Sequence, residues 1–144
     1  MARETVLQSL ESFIACGDEE RHRLAGLARS VHLPAGTMFY REGDLCSHFG
    51  LVTHGDIRVF ATGSNGREIT LYHVRDGQPC LVNMLCVFLG RGAMASAVAD
   101  LPTDAITVPA PIFQQLIATS EAIRRFVFET MAARLVDVMR REGT

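Results

Sequence analysis

Apolar positions recur first at helical spacing, then in alternation, then at helical spacing again. From Thr5 to Ile14 the residues Val6, Leu7, Leu10, Phe13 and Ile14 fall three and four apart, which predicts an amphipathic helix. Asp18 is placed to cap a second helix, with Leu24, Leu27 and Ala28 as its buried face. After Val31 the period changes. Gly43, Gly55, Gly66 and Gly77 punctuate the chain at intervals of 12, 11 and 11 residues. Runs rich in β-branched and aromatic residues predict strands over 37–40, 49–53, 56–61 and 68–74, with two more over 94–99 and 105–108. Ile57, Val59 and Ala61 alternate with Asp56, Arg58 and Phe60, and Ile69, Leu71 and His73 with Glu68, Thr70 and Tyr72, as in a sheet with one buried face. Asn65-Gly66 predicts a two-residue hairpin turn with positive φ at both positions. Residues 77–90 are too continuously apolar for a surface loop and predict a short helix near 81–88, with a buried strand as the alternative. A short helix over 111–118 and a longer one capped by Ser120 close the chain. The longer helix carries Ile123, Phe126, Val127, Met131, Leu135, Val138 and Met139 as a wide apolar stripe, with Arg124, Arg125, Arg134, Arg140 and Arg141 around it.

The order helices, short strands, helix defines an α+β chain, and regular turn spacing points to a barrel or sandwich. At 144 residues it suits one sensor unit over 1–118 and a helical extension over 119–144. Lys and Arg total 14 against 16 Asp and Glu, a formal net charge of −2, which weighs against a free-standing nucleic-acid binder. No apolar run reaches the ~18 residues of a spanning helix, and the N-terminus lacks a signal-peptide pattern, so the expectation is a cytoplasmic chain whose Cys16, Cys46, Cys80 and Cys86 are reduced. The chain has no Gly-rich phosphate loop ending in Lys-Ser/Thr, no Gly-x-Ser-x-Gly elbow, no His-x-His or His-Glu-x-x-His, and no Cys-x-x-Cys. Catalysis and a metal site are therefore not expected.

Several stretches resemble the effector domain of the Crp/Fnr superfamily of bacterial transcription regulators. Leu33-Pro34-Ala35-Gly36-Thr37 followed by Tyr40-Arg41-Glu42-Gly43-Asp44 is similar to its opening strand pair. Val52-Thr53-His54-Gly55-Asp56-Ile57-Arg58-Val59 is similar to its glycine turn, and Asn65-Gly66-Arg67-Glu68-Ile69-Thr70-Leu71-Tyr72 to its hairpin. Residues 121–139 resemble the start of its dimerisation helix. The resemblance implies a cyclic nucleotide-binding-like domain: a double-stranded β-helix (a jelly-roll β-roll) with N-terminal helices, a short helix in the phosphate cassette and a long C-terminal helix. It also implies a homodimer through Ile123, Val127, Met131, Leu135 and Val138, with DNA read only by a helix-turn-helix domain that this chain lacks.

The departures from the family pattern carry the functional expectation. Family members that bind nucleotide open the cassette with Gly-Glu and close it with Arg and a small residue. Here the opening is Gly77-Gln78, and Ala93-Met94-Ala95-Ser96 stands where the Arg belongs, with Arg91 slightly early. A buried phosphate without a charged partner is costly, so tight cyclic-AMP binding is not expected. The expected sensing residues are Gly77, Gln78, Cys80, Leu81, Val82, Cys86, Arg91, Met94, Ala95 and Ser96, joined by Cys46. The segment resembles a branch with cysteines matching Cys80, Cys86 and Cys46, which implies a redox, sulfur or other non-nucleotide signal and leaves haem or an iron–sulfur cluster open as cofactor. His48, His54, His73 and Met84 are candidate haem ligands, although Met84 and Phe88 read equally as core. Six helical residues rise ~9 Å, so a Cys80–Cys86 disulfide requires the helix to unwind. The helix N-terminus is expected to lower the pKa of Cys80, and Cys46 is the natural third partner.

Overall fold

The computed structural model describes residue 22 and residues 26–142. The predicted first helix and Leu24 lie outside the described residues. Leu27, expected in a buried helical face, is exposed, whereas Ala28 is buried.

Eight strands form two four-stranded antiparallel sheets. They are β1 (Arg29–Leu33), β2 (Met38–Tyr40), β3 (His48–His54), β4 (Asp56–Thr62), β5 (Glu68–Arg75), β6 (Gln78–Pro79), β7 (Ser96–Ala99) and β8 (Thr103–Pro109). One sheet runs β1-β8-β3-β6 and the other β2-β7-β4-β5. Each sheet therefore mixes early and late strands, which is the signature of a jelly roll. The helices are α1 (Leu81–Leu89), α2 (Ala110–Thr119) and α3 (Glu121–Glu142). The helix predicted near 81–88 is present, and the alternative of a buried strand is not.

Two cores explain the apolar runs. Phe49 and Leu51 of β3, with Ile106 and Val108 of β8, meet Met84, Val87, Phe113, Leu116, Ile123 and Val127 from the helices. The neighbouring Val52 of β3 belongs to a second cluster between the sheets, with Tyr40, Ile57, Val59, Val74, Cys80, Val82, Cys86, Ala93, Ala95 and Ala97. β3 is thus covered on both faces, so its sequence is a nearly unbroken apolar run rather than an alternating one.

Four local expectations need correction. β1 continues where a helix was expected; Val31 and Leu33 alternate with Ser30 and His32, but five residues beside a helical pattern carry little signal. The β4–β5 connection spans 63–67 rather than two residues: Gly63 N–H donates to Arg67 C=O at 2.8 Å, Arg67 N–H donates to the Asn65 side chain at 3.0 Å, and only Gly66 takes positive φ. Phe60 is buried although it alternates with Ile57 and Val59: Arg58, two residues before it on the same strand, lies over its ring at 4.7 Å, and the register shift opposite Val59 and Phe60 leaves Leu71 of β5 as the extra residue. On β5 the inward residues are Tyr72 and Val74, which leaves Ile69 and Leu71 exposed.

Gly55 shows why a glycine sits in one turn. Its φ is +127°, and a Cβ there would meet the Thr103 Cα at 2.7 Å. Ser120 caps α3 as the sequence predicts, its Oγ accepting the Ile123 N–H at 3.2 Å. Ser120→Ala is expected to lower stability by about 1 kcal/mol, read as a lower urea midpoint at unchanged slope.

Candidate functional site

The cassette is positioned by α1, and α1 by Asn83. β6 pairs with β3 only at Leu51 and Val52, so the edge of β3 just before them needs other partners. Asn83 supplies them. Its Oδ1 accepts the Gly50 N–H at 2.8 Å, and its Nδ2 donates to the His48 C=O at 2.8 Å. A buried amide in an apolar helix was the available sequence signal for this residue, and sequence reasoning missed it.

The inner face of α1 carries thiols. Cys80, the residue before the helix, is fully buried, and its thiol is hydrogen-bonded to the Tyr40 hydroxyl at 3.0 Å. The Tyr72 hydroxyl also reaches Cys80 and accepts the Val82 N–H at 3.0 Å. Cys86, one and a half turns on, donates its S–H to the Arg91 C=O at 2.8 Å and accepts the Cys46 N–H at 3.3 Å. The Cys46 and Cys86 side chains are neighbours close enough to shift one another's ionisation. Cys46 stands in the loop between β2 and β3. That loop is tied to the residues after α1, because Gly43 N–H donates to Ala93 C=O and Ala93 N–H donates to Asp44 C=O, both at 2.8 Å. A Cβ on Gly92 would strike the Gly43 carbonyl oxygen at 2.7 Å, so the two loops approach as closely as glycine permits. Cys16 lies outside the described residues.

Burial holds these groups in their neutral forms. It pushes the Cys46 thiol up to about 12, aided by its contact with Cys86. It raises Cys80 as well, and here the expectation of a depressed pKa fails: loss of solvation outweighs the helix N-terminus and the hydrogen bonds from Tyr40 and Tyr72. The Tyr40 and Tyr72 hydroxyls are raised, burial first and Cys80 next. Such groups in an unfolded chain ionise at ordinary values, so between pH 9 and 12 the unfolded state holds fewer protons than the folded one. Stability from these groups is complete below about pH 9 and falls as pH rises through the Cys46 value. The urea midpoint is expected to drop steadily from pH 8.5 to 11, and a flat profile would contradict the buried placement.

The remaining predicted residues divide. Gly77 adopts φ +80° and donates its N–H to Val52 C=O at 2.9 Å. Ala95 is buried between the sheets, and Ser96 is buried with its Oγ accepting the Glu42 N–H at 2.8 Å. Leu81 packs partly into the helix-side core, and Val82 into the inter-sheet core. Gln78 is exposed, its Oε1 accepting the Arg75 N–H at 2.9 Å. Met94 and Arg91 are exposed, and Met94 precedes β7 rather than opening it. Arg91 meets Cys86 through its backbone carbonyl only, its side chain being exposed. Phe88 is exposed rather than in the core, whereas Met84 is fully buried. His48, His54 and His73 each face a local partner: Ser47, Asp76 and Asp56 respectively. Among the described residues no three His, Cys, Asp or Glu side chains converge at metal-binding spacing.

One cation was missed. Arg134 of α3 lies over the Tyr72 ring, 4.4 Å from its centroid. With Gln78, His73, Thr130 and Asp137 it borders a cleft of about 180 Å³ between β5, the start of α1 and α3. A second cavity, about 430 Å³, opens between β1, β2 and the 44–48 loop; Cys46, Tyr40, Asn83 and Thr107 line it.

The eight-stranded roll with its cassette helix places the chain among cyclic nucleotide-binding folds. The cyclic nucleotide-binding domain family matches residues 30–120, more than half of the chain, and the chain belongs to that family. It is a regulatory domain of Crp/Fnr-like type. The catabolite activator protein of Thermus thermophilus superposes with a TM-score of 0.76 at 23% identity, covering 92% of this chain and 61% of that one. A protein of Eubacterium rectale described as a Crp/Fnr-family transcriptional regulator gives 0.75 at 27% identity, covering 85% of this chain and 57% of that one. The regulatory domain of Toxoplasma gondii PKA, solved with cAMP, gives 0.78 at 16% identity, covering 91% of this chain and 50% of its own. No curated protein matches. This chain thus spans less than two thirds of each of these structures. No described helix is long and apolar enough to cross a membrane.

The residues present do not fit a cyclic nucleotide inside the roll. Among the described residues the cassette wall is Cys80, Val82, Cys86, Ala93, Ala95 and Ala97, packed in one apolar cluster. Gln78 spends its carbonyl on the β5–β6 turn, and Arg91 points to solvent.

Proposed function

We propose that this chain is the sensing domain of a Crp/Fnr-type transcription regulator whose signal is a thiol-reactive redox or sulfur species rather than a cyclic nucleotide. The observation that carries this reading is the packed, thiol-bearing cassette wall, with Arg91 exposed to solvent. The role is regulatory rather than catalytic, in a reducing cytoplasm, with the cysteines as the sensing groups.

Signal leaves through α3. Tyr72 touches Cys80 and Val82 at the cassette and carries Arg134 of α3 on its ring, so a change at the thiols displaces a side chain on which α3 rests. The outer face of α3 is the dimer seam. Ile123 and Val127, two of the seam residues expected from sequence, are instead buried in the chain's own helix-side core, with Met131 partly packed against it. They lie on the face that the roll covers, so they are unavailable to a partner. Leu135 and Val138 are exposed, and Phe128, Ala132, Leu135 and Met139 follow one another at spacings of four, three and four, as a coiled-coil seam requires. DNA would be read by a helix-turn-helix domain joined after α3.

Calorimetry with cyclic AMP and cyclic GMP is expected to show no binding, whereas a mild disulfide oxidant alters sedimentation of the dimer. The second reading is an atypical cyclic-nucleotide module. It rests on Gln78 and Arg134 bordering one cleft. Micromolar nucleotide affinity that is lost in Arg134→Ala would establish it and remove the first.

A further inference from the structure

Resting on that thiol reading, we propose that the reactive pair is Cys46 and Cys86, a dithiol that takes a small disulfide through the cavity between β1, β2 and the 44–48 loop. A Cys80–Cys86 bond, which the sequence allows only if the helix unwinds, is disfavoured by the fold. α1 is an unbroken helix from Leu81 to Leu89, which keeps those two residues apart along its axis. Cys80 is also enclosed, with its thiol bonded to Tyr40.

Cys46 differs in each respect. It is only half-buried, and it lines the cavity of about 430 Å³ that opens to solvent. Its backbone N–H donates to the Cys86 sulfur at 3.3 Å, and its side chain packs against the cluster that holds Cys86. Cys86 is buried behind it. The entry thiol and the resolving thiol are therefore distinguished by access. The mouth is lined by Leu33, Phe39 and Leu45 alongside Arg29, Asp44 and His48, which suits a compact disulfide of mixed polarity.

The chemistry balances with the disulfide as oxidant. The Cys46 thiolate attacks one sulfur of R–S–S–R; a Cys46–S–S–R bond forms, the original S–S bond breaks, and the leaving thiolate takes up the proton that Cys46 gave up. Cys86 then attacks the Cys46 sulfur, forming the Cys46–Cys86 bond and releasing the second RSH. Two protein thiols are oxidised and the small disulfide is reduced to two thiols. The product clamps the β2–β3 loop to the last turns of α1. The raised Cys46 pKa makes the reaction slow at neutral pH, with a rate that rises about tenfold per pH unit.

The test uses the folded chain carrying Cys16→Ser, treated with 2-hydroxyethyl disulfide, blocked, and digested with trypsin without reduction. Cys46 falls in peptide 42–58, and Cys80 with Cys86 in peptide 76–91. The expected product joins the two peptides, and fragmentation places the bond at Cys86. Cys86→Ser is expected to trap the hydroxyethylthio adduct on Cys46, and Cys46→Ser to slow modification of Cys86 by at least about tenfold. Cys86→Ala, with a urea midpoint to confirm folding, replaces Cys86→Ser if the serine perturbs the core. A bond within peptide 76–91, adduct on Cys80 ahead of Cys46, or linkage only after unfolding in urea would each overturn the proposal. Sedimentation of the same samples separates it from the sensing role. Linkage without altered self-association leaves the dithiol site standing and removes the signalling reading. A change in self-association that persists in Cys46→Ser removes the site and keeps the signalling reading.

Discussion

Leu135→Asp combined with Met139→Asp is expected to convert a dimer of this chain into a monomer while leaving the roll folded. Both side chains lie on the uncovered face of α3, 59% and 62% exposed in the single chain. Burying a Leu or Met side chain is worth about 1.5–3 kcal/mol. A twofold seam counts each position twice, so even the lower bound amounts to about 6 kcal/mol, and since association costs are common to parent and variant the dissociation constant rises more than about a thousandfold. The substituted carboxylates would also face their twins across the axis. Sedimentation velocity reads the outcome. The monomer's urea midpoint should stay unchanged, since neither residue touches the roll's cores. Indifference of the sedimentation coefficient to the double substitution would place the seam elsewhere.

Phe113→Ala is expected to cost about 3–5 kcal/mol, a large part of the roughly 5–15 kcal/mol that holds a domain of this kind. The Phe113 ring is stacked on Phe49 at 4.1 Å with an interplanar angle of 11°, and both are 1% exposed. This pair joins α2 to β3, and Leu116, Ile123 and Val127 pack around it. Truncation leaves a cavity bounded by a sheet and two helices, which cannot close far. Urea unfolding should show a much lower midpoint. Phe128→Ala, on the exposed side of α3, should leave the monomer's stability within ~0.5 kcal/mol of the parent. Equal losses at the two phenylalanines would mean that α3 packs the other way round.

These two substitutions mark what could be read in advance. The apolar stripe of α3 was visible, and its spacing showed a helix with more apolar surface than one partner needs. Its division was not visible, because Ile123, Val127, Leu135 and Val138 share one chemistry and differ only in what stands opposite. Phe49 to Thr53 was legible as a strand, but its burial on both faces depends on helices that follow more than thirty residues later in the chain. The burial of Phe60 was not legible because it depends on Arg58 lying over its ring, and the extra residue of the β4–β5 register, Leu71, is fixed by strand pairing rather than by its neighbours in sequence.

The same holds for the site. The family resemblance implies that relatives place an anion in the cassette; alternation and glycine spacing determined from sequence alone that a sheet-rich roll would carry an apolar, thiol-bearing segment there. These are properties of adjacent residues, and local sterics and hydrophobicity act on them directly. Which thiols meet was decided only in three dimensions. Cys46 and Cys86 are forty residues apart, and they touch because a backbone clamp between Gly43, Asp44 and Ala93 folds one loop onto another. The ionisation of Cys80 was likewise set by tertiary burial, which overrides the helix N-terminus beside it. Arg134 reached the cassette through the packing of α3 across Tyr72. Long-range contacts of this kind cost chain entropy and are fixed by the whole core, so no local pattern announces them.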